Sequence, residues 1–276
     1  PAKLNLYLHI TGRRADGYHD LDSLVAFAGI GDVVDCAPSD EFRFTITGPY
    51  APALAHEDPN NNLVVKAAKS LSELVGRKLD VALTLTKNLP IASGIGGGSS
   101  DAAAALRAIA KQWKLDPHDP RIIQAAAQHG QDVPVCLAIT NSYITATGTV
   151  PAPDLPRVEV VNPNKALPTP AVYKKFREGG FGFTPEARLS HAPKEVSEFI
   201  SMLKSRTNDL YEPARLLMPE IGTIIEVLDA ADHCLLARMS GSGATCFGLY
   251  ATPAEAQKAA SYLRTQHPDW WVAESF

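Results

Sequence analysis

Apolar and polar positions fall into two periods along the chain. Residues 3–11 and 22–30 are apolar runs of strand length. Over residues 42–47, Phe42, Phe44 and Ile46 alternate with polar neighbours, and over 79–86 so do Leu79, Val81, Leu83 and Leu85. A period of two over such lengths predicts half-buried strands. Between them, NNLVVKAAKSLSELVG predicts a helix capped by Asn61 or Asn62 and ended by Gly76. Further helices are predicted from about Ser99 through Trp113 and over Pro120–His129, closed by Gly130. Strands are predicted over 133–139 and 142–147. Pro151, Pro153, Pro156, Pro163 and Pro168, followed by Pro170, rule out a regular helix and suggest a linker or domain crossing. Beyond it, helices (171–177, 194–204, 219–231, 253–266) alternate with strands (234–239, 245–250, 270–274). The pattern predicts an α+β fold with helices against a largely antiparallel sheet, divided into residues 1–150 and 151–276.

Composition narrows the setting. The 276 residues suffice for one large domain or two ordinary ones. A formal net charge of -4 argues against general nucleic-acid binding. No apolar run is long enough to span a bilayer. The opening PAKLNLYLHI is broken by Lys3, Asn5 and His9, unlike a secretory leader. Cys36, Cys136, Cys234 and Cys246 form no CxxC pair, so reduced thiols in a cytoplasmic compartment are expected.

The richest segment is Pro90, Ile91, Ala92, Ser93, Gly94, Ile95, Gly96, Gly97, Gly98, Ser99, Ser100 and Asp101. It lies between an alternating strand and an alanine-rich helix. Glycines let the backbone turn and bring its N–H groups close to a bulky anion. Hydroxyls at a helix start, with the positive dipole end, complete a phosphate site; a plain flexible turn is the bland alternative. The pattern GxxxxGK[ST] is absent, GIGGGSS makes no convincing dinucleotide loop, and the protein-kinase signatures are missing.

The loop resembles PxxxGLGGGSSDAA of the GHMP kinases (galactokinase, homoserine, mevalonate and phosphomevalonate kinases), with Ile95 for the usual leucine. The opening PAKLNLYLHITGRRADGYH resembles the N-terminal signature of that superfamily's branch that phosphorylates a cytidine diphosphate-linked methylerythritol. ARMSGSGATCFGLY, residues 237–250, resembles the superfamily's C-terminal glycine motif, with Ser240 where threonine is common. The resemblance implies an N-terminal ribosomal-S5-domain-2-like domain and a C-terminal ferredoxin-like α/β sandwich, with the active site in the cleft between them. It implies ATP and Mg2+, a small-molecule acceptor phosphorylated on its 2-hydroxyl, and a place in non-mevalonate isoprenoid synthesis.

Phosphoryl transfer needs a phosphate cradle, charge neutralisation and a base for the acceptor hydroxyl. Asp132 in HGQDVPVCL matches the catalytic base of the family's GADVPF stretch, with Gln131 for alanine; by composition alone it could equally be a local cap. Lys3 matches a lysine beside that base, which would orient it and stabilise charge on the transferred group. Asn62 is expected near the adenine or ribose, Lys87 among the ATP-binding residues, and Ser99 or Ser100 near magnesium. On the acceptor side the expected residues are Asn5, Tyr18 and His19, Thr169 and Tyr173, and Gly241 and Ser242. Tyr18 and Tyr173 would stack on cytosine and His19 would bond its edge; packing on an amphipathic helix is the alternative for Tyr173. Three rivals stay open: a GHMP kinase for another acceptor, a catalytically silent sensor on the same fold, and a nucleic-acid binder.

Overall fold

The computed structural model describes residues 1–15, 17–145, 148–151, 157–187, 193 and 195–275. The chain opens with a hairpin, β1 (Lys3–Arg13) and β2 (His19–Phe27). Strands β3 (Val33–Pro38) and β4 (Arg43–Thr47), helix α1 (Leu63–Val75) and strand β5 (Val81–Thr86) follow. Next come helices α2 (Gly97–Gln112), α3 (Pro120–Ala127) and α4 (Asp132–Ala138). Strands β6 (Ser142–Thr145), β7 (Gly148–Pro151) and β8 (Arg157–Asn162) lead to α5 (Thr169–Glu178), α6 (Val196–Lys204), α7 (Tyr211–Leu217) and α8 (Glu220–Asp229). Strands β9 (Leu236–Met239) and β10 (Cys246–Tyr250), helix α9 (Pro253–Gln266) and β11 (Trp271–Ser275) close it. These residues form two compact units: Pro1–Ala2, Gly31–Ile91 and Gly96–Ile139 in the first; Lys3–Ile30, Ala92–Ile95 and Thr140–Phe276 in the second. The chain passes between them several times, where the sequence suggested one division at 150/151.

In the first unit β5 lies between β3, antiparallel to it, and β4, parallel. Val81, Leu83 and Leu85 of β5 are buried at every second position, as the alternation requires. Helix α1 is capped by Asn62, whose Oδ1 accepts the Val64 N–H, and ends at Gly76 in the left-handed conformation. Helix α2 packs on α1, α4 and β3; buried Ala102, Ala103 and Ala105 keep its face small.

The second unit holds two antiparallel sheets, ordered β1-β2-β6-β7 and β11-β8-β10-β9. Val160, Val161, Cys246, Phe247 and Leu249 are buried in the second sheet, and α8 and α9 pack on it. All four cysteines are free thiols. No helix among the described residues is long and apolar enough to cross a membrane.

Three expectations are corrected. Residues 133–139 are not a strand: Asp132–Ala138 form α4, and Ile139 turns left-handed after it. Pro134 is tolerated there because it lies in the first helical turn, where its missing N–H would have no intrahelical partner. A short continuous apolar run carries no period to separate strand from helix. The proline-rich stretch is also more than a linker. Its RVEVVN segment is β8, paired on both sides, with the prolines outside it. Finally, VVDCAP, read as no element, is β3, and YEPARLL, residues 211–217, likewise read as no element, is α7. The predicted 142–147 strand ends at Thr145, residues 146–147 lying outside the described residues; likewise residue 194 of the 194–204 helix.

One residue of β8 makes the second sheet sensitive to pH. Glu159 is fully buried, opposite Gly248 on β10 and Glu274 on β11. The Tyr250 hydroxyl donates to its Oε2 at 2.9 Å, and Oε1 has no hydrogen-bond partner among the described residues. Burial pushes its carboxyl up to about 7 from the ordinary 4.5; the Tyr250 bond and Arg264 oppose the rise and Glu274 adds to it. A raised carboxyl favours the protonated fold. Stability from this group is therefore complete below pH 4.5 and is lost as pH climbs through about 7. Replacing Glu159→Gln should abolish a loss on the order of 3 kcal/mol between pH 5 and 8. Urea unfolding of both proteins at those two pH values measures it; a wild-type-to-variant difference that stays constant with pH would rule the titration out.

Candidate active site

The first unit holds the start of α2, the helix whose first turn is expected to meet phosphate. Gly96 is in the left-handed conformation before α2, and no side chain caps the helix. The first-turn N–H groups of Gly97, Gly98 and Ser99 thus meet the loop unopposed, with the positive dipole end behind them. A Cβ on Gly98 would touch only Leu63, at 3.6 Å. The Ser100 hydroxyl faces inward and donates to Cys136 Sγ at 3.3 Å, which leaves Ser99 as the hydroxyl of this pair not engaged in the core.

Beneath α2 lies a buried ion cluster. Lys87 Nζ donates to Asp101 Oδ2 at 2.8 Å and to an oxygen of Asp32. The Asp32 carboxylate also accepts the Asn88 N–H at 2.6 Å and the Leu89 N–H at 2.8 Å. The lysine and Asp32 side chains are 5% and 1% exposed. Burial works against the lysine's charge, but Asp101 and Asp32 hold its pKa above the ordinary value. Burial raises the Asp101 carboxyl well above the usual range, opposed by Lys87 and aided by the charge of Asp32. Sequence reasoning missed Asp32: a Gly-Asp pair before a strand has no motif, and its bonds reach residues 55 to 57 positions away.

Beside the start of α1, a cavity of about 530 Å³ is lined by Phe44, Ile46, Gly48, Ala51, Leu54 and Asn62, among others. Asn62, expected near the base or ribose, thus lines a pocket while capping α1. Asp132 is the first residue of α4. Val133, Val135 and Cys136 of that helix are buried, and it packs on α2. Arg107 of α2 donates to the Cys136 and Leu137 carbonyls at 2.9 and 3.1 Å.

In the second unit three distant segments meet. The Ser240 hydroxyl donates to the Gly94 carbonyl at 3.0 Å and accepts the Asn5 N–H at 3.1 Å. The Thr245 N–H donates to the Ser93 carbonyl at 3.0 Å, and the Lys3 N–H to the Ile95 carbonyl at 2.8 Å. Backbones approach so closely that a Cβ on Gly94 would lie 2.6 Å from the Ser240 and Gly243 carbonyls, and one on Gly241 2.6 Å from the Gly94 carbonyl. Lys3 and Asn5 share a face of β1, with Nζ 3.2 Å from Asn5 Oδ1, and Asn5 Nδ2 donates to Ser23 at 2.8 Å.

The expected acceptor residues also gather in this unit. Tyr18 is 72% exposed, just past the turn at Gly17; Asp16 lies outside the described residues. His19 is buried and stacks on Tyr173, centroids 5.0 Å apart, with Phe176 edge-on. Its Nε2 has no hydrogen-bond partner among the described residues. Burial, then the charges of Arg177 and Arg13, lower its pKa and favour neutral imidazole, which offers one donor and one acceptor. The Thr169 and Ser242 hydroxyls bond each other at 2.7 Å.

These features have a family. Residues 62–138 match the family model GHMP kinases N terminal domain, and residues 189–269 match GHMP kinases C terminal. The chain belongs to the GHMP kinases. Relatives named 4-diphosphocytidyl-2-C-methyl-D-erythritol kinase resemble it along its whole length. That of Rhodospirillum rubrum is 46% identical over 278 residues, covering 99% of this chain and 89% of the relative. That of Paracoccus denitrificans is 47% identical over 279 residues, covering 100% and 94%. A crystal structure of 4-(cytidine 5'-diphospho)-2C-methyl-D-erythritol kinase matches with a TM-score of 0.77 at 32% identity, covering 99% of this chain and 97% of that one. Mevalonate kinase of L. major, in complex with R-mevalonate, matches at 0.69 with 14% identity over 99% and 94%, a likeness of fold alone.

The glycines of the loop should separate into two kinds. Gly94→Ala places a methyl inside van der Waals contact of two carbonyls at a φ of +75° and should cost about 2 kcal/mol or more of stability. Gly98→Ala makes only an ordinary van der Waals contact with Leu63 and should leave the melting temperature within about 2 °C while weakening ATP binding. Thermal unfolding with nucleotide titration tests both; equal destabilisation would remove the distinction.

Proposed function

We propose that this chain transfers the γ-phosphoryl group of ATP to the 2-hydroxyl of 4-diphosphocytidyl-2-C-methyl-D-erythritol, releasing ADP, in the cytoplasmic non-mevalonate route to isoprenoid precursors. The observation that carries the choice of acceptor is His19. It is a buried, neutral imidazole with a ring nitrogen unpartnered among the described residues, packed against an aromatic ring. Buried polar atoms are bonded in the great majority of cases, so an unpartnered one beside an aromatic suits the edge of a planar polar base. Full-length similarity to enzymes of that name supports the same choice.

The roles follow the chemistry. The first turn of α2 and the Pro90–Asp101 loop hold the ATP phosphates, and the cavity at Asn62 takes the base and ribose. Magnesium, bound with the nucleotide, would supply positive charge against the ATP phosphates, and Ser99 or Ser100 would be the side chains at hand to hold it. Asp132 accepts the proton of the acceptor hydroxyl, and the Lys3 ammonium stabilises charge on the transferred group. What supports pairing these two is that each matches its family motif. Tyr18 and Tyr173 supply aromatic faces for cytosine, while Asn5, Thr169, Gly241 and Ser242 position the acceptor.

ADP release from Mg-ATP should occur with the cytidine acceptor and not with mevalonate or homoserine. Turnover with either of those would keep the kinase and sink this acceptor; ATP binding without any turnover would favour a silent sensor. Asp132→Asn should lower kcat by about 10²- to 10⁴-fold with ATP affinity changed by less than about twofold. Parallel losses of kcat and ATP affinity would count against the base role.

A further inference from the structure

Lys87 connects the two ends of the nucleotide site within the first unit. Its main chain belongs to the cavity side: the Lys87 N–H donates to the Thr47 carbonyl at 2.7 Å, and its carbonyl accepts the Tyr50 N–H at 3.1 Å. Thr47 and Gly48 line the 530 Å³ cavity. A Cβ on Gly48 would lie 2.7 Å from the Lys87 carbonyl, so the two backbones are in direct contact. Its side chain belongs to the phosphate side: Nζ bonds Asp101, one turn into α2, and a Cβ on Gly97 in the first turn would be only 3.1 Å from Nζ. Asp32 grips the lysine and the following two backbone N–H groups together.

The lysine would ordinarily be taken for a phosphate ligand. The geometry argues otherwise. Its side chain is 5% exposed, and its ammonium already serves two carboxylates. Turning it towards a phosphate would leave Asp32 and Asp101 buried side by side without their cation, and removing one partner from such a group is strongly unfavourable.

Resting on the nucleotide reading above, we propose that Asp32, Lys87 and Asp101 act as a spacer that fixes the base cavity in register with the first turn of α2. They are positioning residues, and their effect lies in binding the whole nucleotide rather than either end. Linking two subsites helps only while their spacing fits the molecule that bridges them.

The test measures the affinities of ATP, adenosine and inorganic tripolyphosphate for the intact wild-type protein, Asp32→Asn and Lys87→Met. Both variants should weaken ATP by about tenfold, the order expected for one charge-assisted hydrogen bond, and change each fragment by less than about twofold. If Lys87→Met weakened tripolyphosphate as much as ATP, the lysine would be a phosphate ligand and the proposal would fail. It would fail equally if Asp32→Asn lowered the melting temperature but left ATP affinity intact, since the cluster would then be structural only. Should Asp32→Asn or Lys87→Met not fold, Asp101→Asn, isosteric and at the other end of the cluster, must show the same split between ATP and its fragments. A wild-type protein that binds no ATP would instead refute the nucleotide reading, and the spacer with it.

Discussion

A lysine ammonium held out of water between two carboxylates is costly to build, because every charge loses hydration before it gains a partner. In the first unit that cost is offset by partners for each of the three groups. Both carboxylates bond the ammonium, and Asp32 takes two backbone N–H groups as well. The cluster joins the end of β5, the centre of its sheet, to α2, whose first turn is proposed to hold the phosphates. The exit of the strand and the start of the helix are thus fixed to each other by side chains, although the intervening loop is rich in glycine. A loop that must bring backbone N–H groups to an anion cannot stiffen itself with bulky side chains, so its ends have to be held from outside.

In the second unit the same loop is held by different means. Gly94, Gly241 and Gly243 lie where a methyl group would strike a backbone, and the Ser240 hydroxyl bonds the loop and β1 at once. Glycine therefore does two jobs within five residues of sequence. At Gly94 it permits chain-to-chain packing, and at Gly98 it leaves space outside the helix. This explains why the motif's glycines are not interchangeable, although all look alike in the sequence.

Much of the site was legible where function is carried by local chemistry. The cap at Asn62, the turn at Gly76, the glycine loop before an alanine-rich helix, and the shared face of Lys3 and Asn5 all follow from spacing within a few residues. The hydrogen bonds among Ser93, Gly94, Asn5, Ser240 and Thr245 bring three motif segments together, a meeting that their spacing along the chain does not reveal. What stayed hidden depends on partners far along the chain. Asp32 acquires its meaning only when β3 is laid beside β5. The stacking of His19 on Tyr173 joins residues 154 positions apart, and no periodicity announces it. Strand β8 was obscured because prolines flank it, yet none lies inside its paired register. Helix α4 was misread because seven residues with three buried side chains satisfy either period.

That last misreading bears on mechanism. A base on a strand would take its position from a sheet ladder. Asp132 instead begins a helix whose buried side chains pack on α2. Ser100, inside the first turn of α2, bonds Cys136 of α4, and Arg107, further along α2, bonds the carbonyls that end α4. The helix proposed to hold the phosphates and the helix proposed to carry the base are therefore packed against each other within one compact unit. A displacement of α2 that accompanied nucleotide binding would be transmitted to α4 through these contacts, because densely packed interiors pass strain from one element to the next. The position of the base would then follow the position of the phosphates, as an in-line transfer to a separately bound hydroxyl requires.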